Sequence, residues 1–180
     1  MKHDYDAQHL NMDAFARSAG IIEGEEHLAR FDRLMEEAQG EAGEVPLHFA
    51  ATGLTRPDGA PNTQVWLQLS AEVALPMICQ RCLGPVDVPV SFEREFRFVS
   101  TEEAAAVEDE ASEEDVLVLS RDFNLLELIE DELLMALPAV PKHDVCPEPV
   151  KLSVADPDFV EESSEKPNPF AVLEQLKKKS

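Results

Sequence analysis

The chain has 180 residues, 44% of them hydrophobic, with 15 Lys or Arg against 37 Asp or Glu and a formal net charge of −22. That apolar fraction builds a core and excludes a wholly disordered chain. The charge excludes nucleic-acid binding through the general surface, which must repel phosphate, and leaves a basic protein partner, a small local basic patch, or solubility alone.

No apolar run approaches the roughly 20 residues that cross a bilayer, so no membrane partner is expected. The opening residues Met1 to Asp6 lack the basic-then-apolar order of a signal peptide. An odd cysteine count of three, with two of them in a Cys-x-x-Cys pair, fits a reducing compartment. The expected location is the cytoplasm.

Residues 1–44 are expected to form an N-terminal helical segment. Phe15, Ala16, Ala19 and Ile22 recur weakly, and residues 25–37 predict a helix with Leu28, Phe31 and Leu34 on one face, ended by Gly40 and Gly43. Residues 45–146 are expected to be the core domain. Val45, Leu47 and Phe49 alternate with polar neighbours, and Pro46 suggests an edge strand or a strand start. A turn is predicted over residues 56–62. Residues 64–75 then give the clearest strand, with Val65, Leu67, Leu69, Ala71 and Val73 on one side. Trp66 stands on the polar side, either covering the sheet's second face or serving as a contact residue. Ile78-Cys79-Gln80-Arg81-Cys82-Leu83-Gly84-Pro85 reads as a bend, after which Val86, Val88, Val90 and Phe92 alternate again and continue into Phe96 and Phe98 with one phase adjustment. These strands make an antiparallel meander.

Residues 101–115 carry eight acidic residues and no basic one. Such a block repels itself and predicts a solvated, flexible loop or a docking surface for a basic partner. Residues 116–119 predict a short buried strand. Asp122 is placed as the cap of a helix over residues 124–136 whose stripe is Leu125, Leu128, Ile129, Leu133 and Ala136, stopped by Pro138 and Pro141. Residues 147–180 are expected to be a flexible linker followed by a short C-terminal amphipathic helix, with Asn168 as cap, Pro169 at its first position, and Phe170, Leu173 and Leu176 on one side. That helix either tucks onto the core or is offered to a partner. The fold class is therefore α+β: a small antiparallel β-sheet or partly closed barrel, a packed amphipathic helix, a flexible acidic loop and a C-terminal tail.

Chemistry concentrates in Cys79, Cys82, His143 and Cys146. Two short-spaced ligand pairs far apart in sequence are the pattern of a tetrahedral zinc site, and a helix lying on the sheet can return the second pair to the bend. An ordinary reduced thiol pair is the alternative. A redox pair fits less well, because a strand and not a helix follows the first cysteine. Phosphate-cradling loops and the zinc-protease and serine-hydrolase motifs are absent, so no catalytic residues are assigned and an enzyme is not expected. Arg81, Arg94 and Arg97, with Trp66, are the candidate RNA or partner contacts, a local cationic and stacking patch. The alternative is that the arginines pair with neighbouring glutamates or cover apolar surface.

Three stretches taken together carry a resemblance. They are Ile78-Cys79-Gln80-Arg81-Cys82-Leu83; the run Leu125 to Pro138 followed by Val140-Pro141-x-His143-Asp144; and Lys166-Pro167-Asn168-Pro169-Phe170-Ala171-Val172-Leu173. In this order they resemble the bacterial YceD family, large ribosomal RNA subunit accumulation proteins, over about residues 40–180. The resemblance implies a non-catalytic role in the synthesis, processing or accumulation of 23S ribosomal RNA, and hence in large-subunit biogenesis. The resemblance implies the 23S precursor as partner; the charge of −22 gives the alternative of an acidic, chaperone-like binding module for a basic ribosomal protein or assembly factor, with residues 102–115 supplying the attraction. The family has no agreed catalytic residues to carry over. Some relatives hold more cysteines in the second half, where this chain has only Cys146 beside His143.

Overall fold

Five strands form one open sheet in the order β1-β2-β3-β4-β5. They are β1 Ile21–His27, β2 Pro46–Pro57, β3 Thr63–Ile78, β4 Pro85–Val99 and β5 Asp115–Val118. The computed structural model describes residues 5–57, 63–109, 112, 114–147, 154 and 156. Contacts divide the chain into Met1–Glu148 and Pro149–Ser180. In the second unit only Val154 and Asp156 are described, both exposed, so the predicted linker and C-terminal helix lie outside the described residues, as do positions 58–62 of the predicted turn.

β1 to β4 pair antiparallel in sequence order, and β5 joins β4 in parallel. The sheet does not close: β1 and β5 are its edges, so of the two sequence expectations the open sheet is the one realised. The period-two pattern sets the register. Val65 faces Phe98, Leu67 faces Phe96 and Val73 faces Val90, which puts one apolar series from each strand on one face. The pairing of β3 with β4 runs from Val65–Phe98 to Ile78–Pro85 without a bulge. The predicted phase adjustment in β4 is therefore absent: Arg94 occupies the core-side position opposite Leu69, interrupting the apolar series without shifting it. Pro46 is the first residue of β2, where its missing N–H is tolerated.

Helices cover the apolar face. α1, Met12–Arg17, is capped by Asn11, whose Oδ1 accepts the Ala14 N–H at 3.0 Å. It buries Met12, Phe15 and Ala16. A Cβ on Gly53 of β2 would stand 2.8 Å from the Ala16 Cα and 2.7 Å from Phe15 Cδ1, so glycine there lets helix and strand backbones touch. α2, Asp32–Glu37, follows a 3-10 turn over Leu28–Arg30. Here the sequence expectation is corrected. Residues 25–37 are not one helix, because Glu25 and Glu26 pair with His48 and Leu47 as part of β1. Leu28, Phe31 and Leu34 are buried as their spacing implied, but strand pairing overrides the helical preference of the residues before them. Residues 21–27 thus belong to the sheet and not to an N-terminal helical segment.

The acidic stretch is also corrected in part. Residues 102–109 are α3, Glu102–Asp109, and not a flexible loop. The Thr101 hydroxyl accepts the Ala104 N–H at 3.2 Å, Glu102 and Glu103 occupy the first turn, where negative charge suits the helix dipole, and Glu108 pairs with Arg97 of β4. This helix is the crossover that lets β5 run parallel to β4.

α4, Leu125–Ala136, lies across the sheet with Leu125, Leu126, Ile129 and Leu133 buried. Its cap is Asn124, whose Oδ1 faces the Leu126 and Glu127 N–H groups. Asp122 is not the cap, since it stands two residues too early and holds His9 instead. Buried Glu130 accepts the Arg33 N–H at 2.8 Å and the Leu34 N–H at 3.2 Å, capping α2 from another helix. Leu137 ends α4 in extended backbone (ψ 137), as a residue before proline prefers. Among the described residues no helix is long and apolar enough to cross a membrane.

Candidate metal centre

Six residues, Cys79 to Gly84, join β3 to β4. The Leu83 N–H donates to the Cys79 carbonyl at 2.8 Å and the Cys79 N–H to the Gly84 carbonyl at 2.8 Å. Closing so tightly puts Leu83 at φ 59, a backbone state costly for a branched side chain. The bend turns backbone amides inward on the Cys79 sulfur. Burial pushes that thiol up, but the amides of Cys82, His143 and Arg81, helped by the Cys82 thiol, outweigh burial and bring it down to about 5.

The chain returns to this bend after α4. The Gln80 N–H donates to the Pro141 carbonyl at 2.9 Å, Arg81 Nη2 donates to the His143 carbonyl at 2.6 Å, and the His143 N–H points at Cys79 Sγ at 3.4 Å. Cys82 Sγ then stands 3.4 Å from His143 Nδ1, and Cys79 Sγ stands 4.0 Å from Cys146 Sγ. All four donor atoms lie within 4.8 Å of one another. The sulfurs are far outside disulfide bonding distance and the cysteines are free. A tetrahedron with Zn–S bonds of about 2.3 Å has edges of roughly 3.8 Å, close to these separations. Three thiols and an imidazole, all at least partly buried, can hold a metal ion. The same crowding pushes the Cys146 thiol up to about 11, through burial first and then its bonds to Cys82 and Cys79. Several thiolates can coexist here only against a positive charge.

The structure thus brings together the four candidate ligands and Arg81. It does not bring together the three candidate arginines. Arg94 lies on the core side of β4, 3.0 Å from Asp115 and 3.2 Å from Glu132 of α4. Arg97 lies on the opposite face beside Trp66, buried and paired with Glu108. Trp66 is itself only 6% exposed, with the Arg56 guanidinium 4.1 Å from its ring centre. It covers the second face of the sheet. The rest of that face is open and acidic. A groove of ≈ 580 Å³ crosses it, lined by Ala50, Ser70, Ser91 and the carboxylates of Glu23, Glu72 and Glu93. Sequence reasoning missed this groove: Ser70, Glu72, Ser91 and Glu93 occupy the alternate positions of β3 and β4, which pattern identified, but Glu23 lies on β1, which pattern did not.

A family model described as "Large ribosomal RNA subunit accumulation protein YceD" matches residues 67–177, a span that holds all four donors. The large ribosomal RNA subunit accumulation protein YceD of Haemophilus influenzae is 32% identical over 122 residues, 66% of this chain and 69% of that one. No solved structure matches.

Proposed function

The chain belongs to the YceD family of large ribosomal RNA subunit accumulation proteins, and from that premise we propose that it is a non-catalytic cytoplasmic factor supporting the synthesis, processing or accumulation of 23S ribosomal RNA. Its contribution is binding within large-subunit assembly. The observation that carries the non-catalytic part is the donor set. Four protein ligands close a zinc site, whereas catalytic zinc keeps a position open for water or substrate. Cys79, Cys82, His143 and Cys146 are the residues that would hold the ion. Bound there, it would fasten the β3–β4 bend to the segment after α4, two pieces of chain otherwise joined by a few hydrogen bonds.

The test is deletion of the gene followed by measurement of 23S against 16S ribosomal RNA and of large-subunit particles. A selective fall in 23S, restored by the full chain, supports the reading; an unchanged ratio overturns it. Metal analysis of protein purified without chelators tests the zinc site. About one equivalent is expected, and less than about half would favour bare thiols.

A second reading is favoured by the acidic groove on the open sheet face: a binding module for a basic ribosomal protein or assembly factor. Charge reversal at Glu23, Glu72 and Glu93 would then release such a partner at moderate salt. Retention of the partner by that variant would dismiss the module.

A further inference from the structure

We infer that the two loops of the metal centre are the RNA-contact surface of this chain, with Arg81 and Lys142 meeting phosphates and Leu83 and Val145 offering apolar surface beside them. The inference rests on the reading that the protein serves ribosomal RNA, and it names where contact is made.

On a chain of net charge −22, a cation is available to an anionic partner only where no carboxylate already holds it. Six of the eight arginines are held in this way, Arg94 and Arg97 among them. Among the described residues, only Arg81, Arg121 and Lys142 are cations without a carboxylate partner. Arg121 stands by itself in the segment before α4. Arg81 and Lys142 are brought together by the fold, because the Arg81 guanidinium holds the carbonyl of His143, the residue after Lys142. That bond engages one edge of a fork with five N–H donors and sets its orientation in advance.

Exposed apolar side chains gather in the same place. Of the seven large hydrophobic residues that stand exposed among the described residues, Leu83, Val140 and Val145 belong to the Cys79–Gly84 bend and the segment that docks on it. Leu83 is 73% and Val145 85% exposed. Each flanks a metal-ligand candidate, so neither can withdraw into a core. Cations without an ion-pair partner beside protruding apolar groups, with Asp144 the one exposed carboxylate of residues 141–146, suit single-stranded RNA, whose phosphates and unstacked bases offer both kinds of contact. An acidic segment of a protein is the competing occupant.

The test uses the full, zinc-loaded chain and a short fluorescent single-stranded RNA titrated at several salt concentrations. Arg81→Ala with Lys142→Ala should weaken binding about tenfold at low salt and flatten the log–log salt dependence by about 1.4, at roughly 0.7 per phosphate contact. Leu83→Ser should also weaken it, and Arg121→Ala should not. Arg81 also braces the His143 carbonyl, so Lys142→Glu, with zinc content confirmed, carries the test independently. Unchanged affinity and slope in both cationic variants overturns the inference, as does a wild-type chain that does not bind the RNA. Loss of an acidic peptide with RNA binding intact assigns the surface to a protein partner and also overturns it. If these variants bind RNA normally while gene deletion still depletes 23S ribosomal RNA, the contact surface is wrong and the broader reading stands. If deletion leaves 23S untouched, the broader reading is the one that fails.

Discussion

Arg94 and Arg97 stand on the same strand and serve opposite faces of the sheet. Arg94, opposite Leu69, joins Asp115 of β5 to Glu132 of α4; Arg97, opposite Trp66, holds Glu108 of α3. They share no partner. Arg94→Ala leaves the nearly buried Glu132 carboxylate without its cation, and Arg97→Ala unfastens α3 from the second face. Arg94→Ala should cost about 1–3 kcal/mol, the range for stranding a buried polar group, whereas Arg97→Ala leaves only the half-exposed Glu108 carboxylate and should cost about 0.5–1.5 kcal/mol, the range for losing one hydrogen bond. The double variant should fall within about 0.5 kcal/mol of the sum, as for independent sites. Denaturant unfolding measures all three. A coupling above about 1 kcal/mol would show that the two faces are not separate.

Two carboxylates should respond to pH with opposite sign. Glu132 is raised above its ordinary 4.5, chiefly by burial, against which Arg94 works. Its Oε2 finds no aligned hydrogen bond, although Arg94 Nε stands near. The folded state therefore favours protonated Glu132. That contribution is complete below 4.5 and is lost as pH rises through the raised value. Glu95 is lowered, first by its hydrogen bond from Arg56. Its contribution is present above 4.5 and is lost as pH falls through the lowered value. Subtracting the stability of Glu132→Gln from wild type should thus give a difference that becomes less favourable as pH climbs from 4.5 toward neutrality. The same subtraction for Glu95→Gln should give a difference that vanishes as pH drops below 4.5. Thermal melts of the three proteins across that range decide it, and parallel differences would refute the assignment.

The elements that were legible are those whose period is unbroken. β3 and the stripe of α4 declare themselves because their apolar residues follow one period from end to end, and the ligand set follows from two short spacings plus the expectation that a helix folds back. β1 was hidden because Leu28, Phe31 and Leu34 repeat at helical spacing just beyond it, while the strand itself is Glu-rich and earns its conformation from pairing with β2. α3 was hidden by its charge density, which masks the Thr101 cap and the run Ala104 to Ala106. The division of the arginines was present in their numbering: positions 94 and 97 have opposite parity on one strand. What no pattern reveals is the cluster of amides on Cys79, which exists only once Leu83 takes a left-handed backbone.

Gly53 should tolerate no side chain. A Cβ there meets the backbone of Ala16 at 2.8 Å, which cannot move aside as a flexible side chain would. Gly53→Ala should destabilise by about 1–3 kcal/mol, the usual cost of overpacking. Gly43→Ala is the control, because its Cβ would find only Ala29 Cβ at 3.5 Å, an ordinary contact. That variant should be neutral or gain up to about 1 kcal/mol by restricting the unfolded chain. Equal losses at both positions would mean that backbone freedom, and not the approach of α1 to β2, requires glycine at position 53.

If the four donors hold the proposed ion, its removal should loosen one corner of the molecule and spare the rest. The four donors bind two segments that otherwise meet through the bonds Gln80–Pro141, Arg81–His143 and His143–Cys79, whereas Phe96, Leu67, Leu75, Ile129 and Leu133 form a core that needs no ion. Cys82→Ser and His143→Ala should therefore lose bound zinc yet keep the far-ultraviolet spectrum of the wild type. Hydrogen exchange should accelerate in residues 79–84 and 141–146 and stay slow across β2, β3 and α4, since local opening follows local contacts. Ile129→Ala, by contrast, should cost about 2–5 kcal/mol through the cavity it leaves, without altering zinc content at temperatures where the chain is folded. Collapse of the whole fold on loss of one ligand would show that the ion holds the sheet itself. Unchanged exchange in both loops would show that the hydrogen bonds suffice and the donor set is incidental.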